Sequence, residues 1–244
     1  MRSTPKPLLC ELHAHSTWSD GDLTITELVD LYGEAGFDVL CVTDHVGRND
    51  PAYLDPRWKV TGPASFADYL LAVERDASRA RVTYGLLVLP GLELTYDDLD
   101  PLRAAHAVAV GLRTFVGMDD GIERALADAR SAGAALIAAH PYDEPSATRD
   151  AVRATARWAA GGHELADLVD RYELVNRRDV FPWVAHAGLP GVATGDFHRL
   201  EHLTTWKTLL PCARTERAVV DYLRSGLPAY LVDLAEPARI EAAA

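Results

Sequence analysis

Apolar residues in this chain come in short runs separated by longer stretches of mixed character. The runs are Leu8–Leu12, Val39–Thr43, Leu86–Leu94, Ala107–Leu112, Ala134–Ala139, Tyr172–Val175, Val192–Thr194 and Thr208–Leu210. Their lengths and composition read as β-strands. Between them lie Ile25–Ala35, Phe66–Ala80, Gly121–Ala132, Ala147–Ala160, Asp179–Ala187 and Glu216–Arg224, each able to turn an apolar stripe to one side of a helix. Thr24 followed by Glu27 is a capping-box pattern at the start of the first of these, and Gly33 and Gly36 suit its end. Strand and helix signals alternate, which predicts a largely parallel sheet covered by helices. Seven or eight strands in 244 residues favour a barrel over an open sheet. No internal repeat or linker divides the chain, so we expect one domain over residues 1–244 with its core between about 8 and 232. The segments Val46–Pro63 and Thr95–Ala105, rich in Pro or Asp, read as long loops of the kind that shape a barrel's rim, and the Ala-rich tail Glu236–Ala244 as a segment that frays.

Composition narrows the class. Hydrophobic residues make up 48% and charged residues 25%, which excludes a disordered or low-complexity chain. The formal charge is −12 and no basic run occurs, so binding to extended nucleic acid is not expected. Cys10, Cys41 and Cys212 are widely spaced, with no Cys-x-x-Cys, and support neither a disulfide framework nor a zinc ribbon. Residues 1–10 do not have a signal-peptide pattern and no apolar run reaches the length of a membrane span, so a cytoplasmic protein without a membrane partner is expected.

The chemistry gathers at the strand ends. His13 and His15 close the first run, Asp44 and His45 the second, and Glu93 the third. His140 follows the run ending at Ala139, and Asp196 and His198 follow the one ending at Thr194. Any of these alone has a plain structural reading as a cap, a turn or a solvated strand end. In a parallel barrel, however, the C-terminal ends of all strands open on one face, so residues distant in sequence meet there. His-x-His at the end of a strand also sets both imidazoles on one side, where they can share an ion. His106 fits less neatly, because it stands at the start of its run; His163 and His186 fall in or beside helical segments, and His202 lies close behind His198.

These stretches resemble the PHP (polymerase and histidinol phosphatase) family of metal-dependent phosphoesterases. The matching motifs are Leu12-His13-Ala14-His15-Ser16, Ser19-Asp20-Gly21, Val42-Thr43-Asp44-His45, Pro90-Gly91-Leu92-Glu93, Ala139-His140-Pro141, Tyr172-Glu173-Leu174-Val175-Asn176 and Gly195-Asp196-Phe197-His198. The resemblance implies an α/β fold, a distorted (β/α)7 TIM-like barrel, with a three-metal centre at its mouth. It implies that His13, His15, Glu93 and Asp196 hold one ion, that Glu93 bridges to a second held with His106 and His140, and that Asp20, His45 and His198 hold a third. It gives Glu173 and Asn176 an orienting or structural role.

A mixed His and carboxylate set suits two or three divalent ions of Zn, Mn or Fe. The implied activity is hydrolysis of a phosphate ester by a metal-bound hydroxide, with Asp196 and His198 at the reacting centre and Asp44 orienting a ligand histidine. His198, His202 or an ion could serve the leaving group. Arg178 and Arg48 rank first as phosphate clamps, ahead of Arg177, since all follow strand-end motifs. Trp18, Trp58, Tyr53 and Tyr142 lie in rim segments, where they could stack on a base or sugar or simply pack. The expected substrate is a small phosphomonoester or nucleotide. Two rivals stand beside this reading. An amidohydrolase-type barrel often needs a carboxylated lysine at a middle strand end, and Lys6, Lys59 and Lys207 are not at such a place. A non-catalytic metal-binding or regulatory module would bind ions without turnover.

Overall fold

The computed structural model describes residues 6–143, 155–161, 165–235 and 240–242. Its first half runs β1 (Leu8–Glu11), α1 (Ile25–Glu34), β2 (Val39–Val42), β3 (His45–Val46), α2 (Pro63–Thr83), β4 (Leu87–Tyr96), β5 (Ala105–Val110), α3 (Ile122–Ser131) and β6 (Ala135–Ala139). The second half runs α4 (Arg157–Ala160), β7 (Arg171–Asn176), β8 (Asp179–Val180), α5 (Pro182–His186), β9 (Gly191–Thr194), a 3-10 turn (Leu200–His202), β10 (Trp206–Leu210), α6 (Glu216–Arg224), β11 (Tyr230–Asp233) and β12 (Ile240–Ala242).

Local sequence accounts for the helices. Thr24 caps α1, accepting from the Glu27 amide while the Glu27 carboxylate accepts from the Thr24 amide. Ile25, Leu28, Val29 and Tyr32 then fall on one buried stripe. Thr215 caps α6, which buries Val219, Val220 and Leu223. The sequence-expected helix Asp179–Ala187 is instead a short hairpin followed by a helical turn. Arg177 adopts φ 54°, β8 folds back antiparallel on β7, and Pro182 opens α5. Of the expected helix Ala147–Ala160, Arg157–Ala160 is helical and residues 147–154 lie outside the described residues, as do His163 and residues 236–239, 243 and 244 of the tail. Ile240–Ala242 of that tail pairs with β11, so this part does not fray.

The strands form one curled, half-barrel sheet in the order β12-β11-β10-β1-β2-β4-β5-β6-β7-β8, with β3 beside β4 and β9 beside β7. Pairings β1–β2, β2–β4, β6–β7 and β7–β9 are parallel as expected. The sheet is more mixed than the sequence rhythm predicts, because β5 runs antiparallel to both neighbours and β10 antiparallel to β1. No helix separates β4 from β5, so the chain returns directly and must reverse. The two ends of the curl meet where the Thr208 hydroxyl accepts from the Ala193 amide (2.9 Å) and donates to its carbonyl (2.7 Å), and where Ala14 bridges Phe197.

Strand residues alternate between two cores. One, with Leu40, Val42, Ala107 and Ala109, faces α1, α2 and α3. The other, with Val39, Cys41, Leu89, Val108, Val110 and Ile137, faces α6 inside the curl. Buried Arg171 on β7 donates to the Tyr222, Leu223 and Leu227 carbonyls, holding the C-terminal end of α6 against the sheet. The inner face is therefore apolar and sealed at one end. Its chemistry is left to the other.

Candidate metal centre

Alternation carries the inner face of β4 from Leu89 through Gly91 to Glu93, and that of β5 from Val110 through Val108 to His106. Because β5 is antiparallel, its first residues lie beside the last residues of β4 and β6: His106 pairs with Thr95 on one side and Ala139 on the other. Its position at the start of a run is what places it at the mouth. Glu93 is not the last residue of its strand, since β4 continues to Tyr96.

Five imidazoles converge on the Glu93 carboxylate. Its Oε2 lies 3.1 Å from His13 Nε2, 3.2 Å from His15 Nε2 and 3.1 Å from His45 Nδ1. Its Oε1 lies 3.1 Å from both His106 Nδ1 and His140 Nε2. Asp196 Oδ1 faces His13 Nε2 at 3.7 Å and His15 Nε2 at 3.5 Å. Asp20 Oδ1 faces His198 Nε2 at 3.3 Å and His45 Nε2 at 3.5 Å. Three groups have donor atoms mutually within 4.8 Å: His13, His15 and Asp196; Glu93, His106 and His140; and His15, Asp20, His45 and His198. His15 thus reaches two of them.

Neighbouring groups aim these rings. Glu173 Oε1 lies 2.8 Å from His13 Nδ1 and accepts from Thr194 Oγ1, while Oε2 accepts from the His140 amide and from Asn176 Nδ2. Thr95 Oγ1 lies 2.7 Å from His45 Nδ1, and Trp58 stacks on the same ring at 4.6 Å between centroids. Asp97 Oδ1, which the motifs do not pick out, lies 2.9 Å from His106 Nε2. His140, Arg177 and Asp196 are the described non-glycine residues with left-handed backbone, and all three are at the mouth, a concentration of strain typical of functional sites.

Asp44 differs from its expected role. Buried, it accepts from the Ser16 amide and hydroxyl at 2.8 Å each and from the Ser19 hydroxyl at 2.6 Å. It shapes the 16–19 turn and reaches a ligand histidine only through Ser19, 3.3 Å from His15 Nδ1. The arginine ranking is also corrected. Arg178 turns outward to Asp233 and the Thr204 carbonyl from the second position of the tight β7–β8 turn, whose first residue, Arg177, is left-handed. Arg48 is sandwiched between the rings of Tyr53 (3.8 Å) and Tyr96 (4.3 Å) and donates to the Asp97 carbonyl, so it pins the rim. Arg177 is the one that lines the cavity, with Nε and Nη2 on the Asp196 carbonyl and Nη2 2.9 Å from Asp196 Oδ2.

That cavity has a volume of about 560 Å³. Asp20, His45, Glu93, His106, His140, Asp196 and His198 line it, and fully buried His13 and His15 stand behind Glu93 and Asp196. Tyr53, Trp58 and Tyr142 form part of its wall, whereas Trp18 packs on Tyr69. His202 is not on the wall; its Nδ1 accepts from the His198 amide. His186 is exposed on α5.

The electrostatics suit cations. Burial pushes the Glu93 carboxyl up, but the fields of His45 and His13 and the bond to His106 hold it well below the usual range. Burial likewise opposes the charged forms of His106 and His198, yet Asp97 and Glu93 raise the first to about 10, and Asp196 and Asp20 raise the second to about 10. His15 Nε2 and Asp20 Oδ1 are buried without a hydrogen-bond partner, and both point at neighbouring ligand atoms. Buried polar atoms left in this way are costly unless something binds them, and the donor set of imidazoles and carboxylates fits divalent transition metals.

The sequence profile of the PHP domain matches residues 11–157. The chain belongs to the PHP domain family. No curated protein matches it. Among solved structures, it is similar to a two-domain protein from Bacteroides vulgatus containing a predicted PHP-like metal-dependent phosphoesterase, at 21% identity and TM-score 0.66, over 94% of this chain and 67% of that one. It is also similar to an amidohydrolase from Chromobacterium violaceum with bound sulfate and no metal, at 16% identity and TM-score 0.51, over 78% of this chain and 87% of that one. At these identities the likeness is one of fold. Membership in the PHP family rests on the profile, which ends before Asp196 and His198; the structure brings those two to the same mouth.

Proposed function

We propose that this PHP chain is a phosphoesterase that hydrolyses a small phosphomonoester or nucleotide at a centre of three divalent ions. The observation that carries the reading is the Glu93 carboxylate with five imidazole nitrogens within 3.2 Å, on the wall of a cavity. Hydrogen bonding alone does not call for so many rings around one acid; shared coordination does. His13, His15, Glu93 and Asp196 would hold one ion; Glu93, His106 and His140 a second; Asp20, His45 and His198, with His15 beside them, a third. When bound, such ions supply positive charge for the phosphate and a water acidic enough to act near neutral pH.

The chain's own groups do the rest. Arg177 is anchored through Nε and Nη2, which leaves Nη1 for a phosphate oxygen. Of the two histidines that could give a proton to the leaving oxygen, His198 lines the cavity and His202 does not. Glu173 fixes His13 Nδ1 and thereby turns Nε2 toward the cluster. The rim contributed by residues 52–58 gives a bounded wall that suits a small substrate better than a long polymer.

None of the three lysines lines the cavity, and Lys207 Nζ is committed to Glu11, His202 and Thr205, so the amidohydrolase reading gains no carboxylated lysine. The test is metal analysis of the purified chain, followed by phosphomonoester and phosphodiester panels with added Mn2+ or Zn2+. We expect bound ions and metal-dependent release of phosphate, with Glu93→Gln losing at least a hundredfold in rate and most of the bound metal. Metal without turnover on any phosphoester would favour the regulatory module. A chain that binds no ion would overturn the proposal.

A further inference from the structure

Beneath the cluster lies a buried ion pair that does not line the cavity described above. Glu11 and Lys207 are both fully buried, with Lys207 Nζ 3.1 Å from Glu11 Oε2. Glu11 Oε1 accepts from the amides of Leu12 (3.1 Å), His13 (3.2 Å) and Gly195 (2.9 Å), and Oε2 also accepts from the Tyr32 hydroxyl (2.9 Å). Lys207 Nζ further donates to the His202 carbonyl (2.9 Å) and the Thr205 hydroxyl (2.8 Å), which uses all three of its protons. His202 Nδ1 in turn accepts from the His198 amide (3.1 Å).

The pair therefore grips the main chain on both sides of the centre. On one side is the segment just past β1, carrying His13 and His15. On the other is the segment after β9, carrying Asp196 and His198. Gly195 marks how close the approach is: a Cβ there would lie 2.2 Å from Glu11 Oε2 and 2.5 Å from Lys207 Nζ. Asp196 follows immediately with a left-handed backbone, a conformation that persists only where the surroundings over-determine it. A buried pair is weak evidence of added stability, and in some proteins such pairs serve to fix one arrangement.

We infer that Glu11 and Lys207 are positioning residues that lock the His13/His15 and Asp196/His198 segments into one frame, so that the ligands stand in place before an ion arrives. The inference rests on the metal-centre reading proposed above. It concerns affinity for the ion, not the chemical step.

The test compares the full chain with the Glu11→Gln/Lys207→Met double variant and with Glu11→Asp alone. The double change removes both charges and keeps an acceptor for the His13 and Gly195 amides, so neither charge is stranded. Glu11→Asp keeps the charge opposite Lys207 and shortens the reach to the His13 and Gly195 amides, the milder change should the double variant not fold. Val219→Ala, in the core under α6, serves as a control that lowers stability away from the centre. Equilibrium dialysis against Mn2+ gives affinity and stoichiometry, and thermal unfolding of the metal-free proteins gives stability. Removing partners that orient metal ligands costs about 10–100-fold in affinity. We expect a loss of tenfold or more in the Glu11 variants at a metal-free melting temperature no lower than the control's, with the control keeping wild-type affinity. Wild-type affinity in the Glu11 variants, or an equal loss in the control, overturns the inference while leaving the centre intact. A wild-type chain that takes up no Mn2+ overturns the reading of the centre and the inference with it.

Discussion

In the metal-free chain His106 and His198 keep their protons up to about pH 10, held by Asp97 and Glu93 in one case and by Asp196 and Asp20 in the other. An imidazole must be neutral to bind an ion, so on the proposed assignment each of these rings would give up a proton on coordination at neutral pH. Metal uptake should therefore release protons, and affinity should rise with pH toward 10. Calorimetric titration in two buffers of different ionisation enthalpy measures the number released. Asp97→Asn removes the carboxylate 2.9 Å from His106 Nε2, which lowers that ring's proton affinity, and we expect fewer protons released per ion bound. Equal proton release by wild type and variant would contradict the assignment of His106 to the centre.

At the scale of elements, the ligands depend on turns as much as on strands. The turn after β1 closes through Ser19 and Gly21 amides donating to the Ser16 carbonyl, and the Asp22 amide donates to the His198 carbonyl. A Cβ at Gly21 would sit 2.3 Å from the His15 carbonyl oxygen, which is main chain and cannot step aside. Gly21→Ala should cost about 1–3 kcal/mol by overpacking and shift Asp20 away from His45 and His198. Thermal unfolding and metal content would both register it, and an unchanged metal count would refute the link to Asp20. This turn also shows what the sequence could and could not convey. His45 and Glu93 were legible because each closes an apolar run and period-two alternation assigns it to the inner face; His13 and His15 also close a run, but alternation from Cys10 and Leu12 would turn them the other way, and they reach the mouth because the chain leaves β1 at Glu11. His106 was legible only as a family ligand, since nothing local reveals that β5 reverses. The outward turn of Arg178, the burial of Lys207 against Glu11 and the use of Asp44 by two serines depend on contacts between segments distant in the chain. Spacing has no access to these. The β8 hairpin was missed because its two residues are too few to show a period.

For the molecule as a whole, no helix among the described residues is long and apolar enough to cross a membrane. Its pH response follows from the mouth. His106 and His198, raised to about 10 from an ordinary value near 6.5, favour the folded state fully below pH 6.5, and that contribution is lost as pH climbs to 10. His45 and His202 run the other way. Burial lowers them to about 3 and about 4, so they stay neutral when the unfolded chain takes up protons, and stability falls as pH drops below 6.5. The metal-free protein should therefore be most stable near pH 6.5, with denaturation midpoints declining on both sides. Saturating Mn2+ should raise the melting temperature and flatten the alkaline limb, because coordinated rings are already deprotonated. A metal-free profile that rises steadily from pH 6.5 to 10 would count against this charge arrangement.

Glu93 touches every group of ligands. If the groups hold ions as proposed, losing one histidine would leave most donors of a neighbouring group in place. Losing this one acid would untie all the groups together. On the proposed centre, Glu93 in β4 is thus the position where one substitution would silence every group at once.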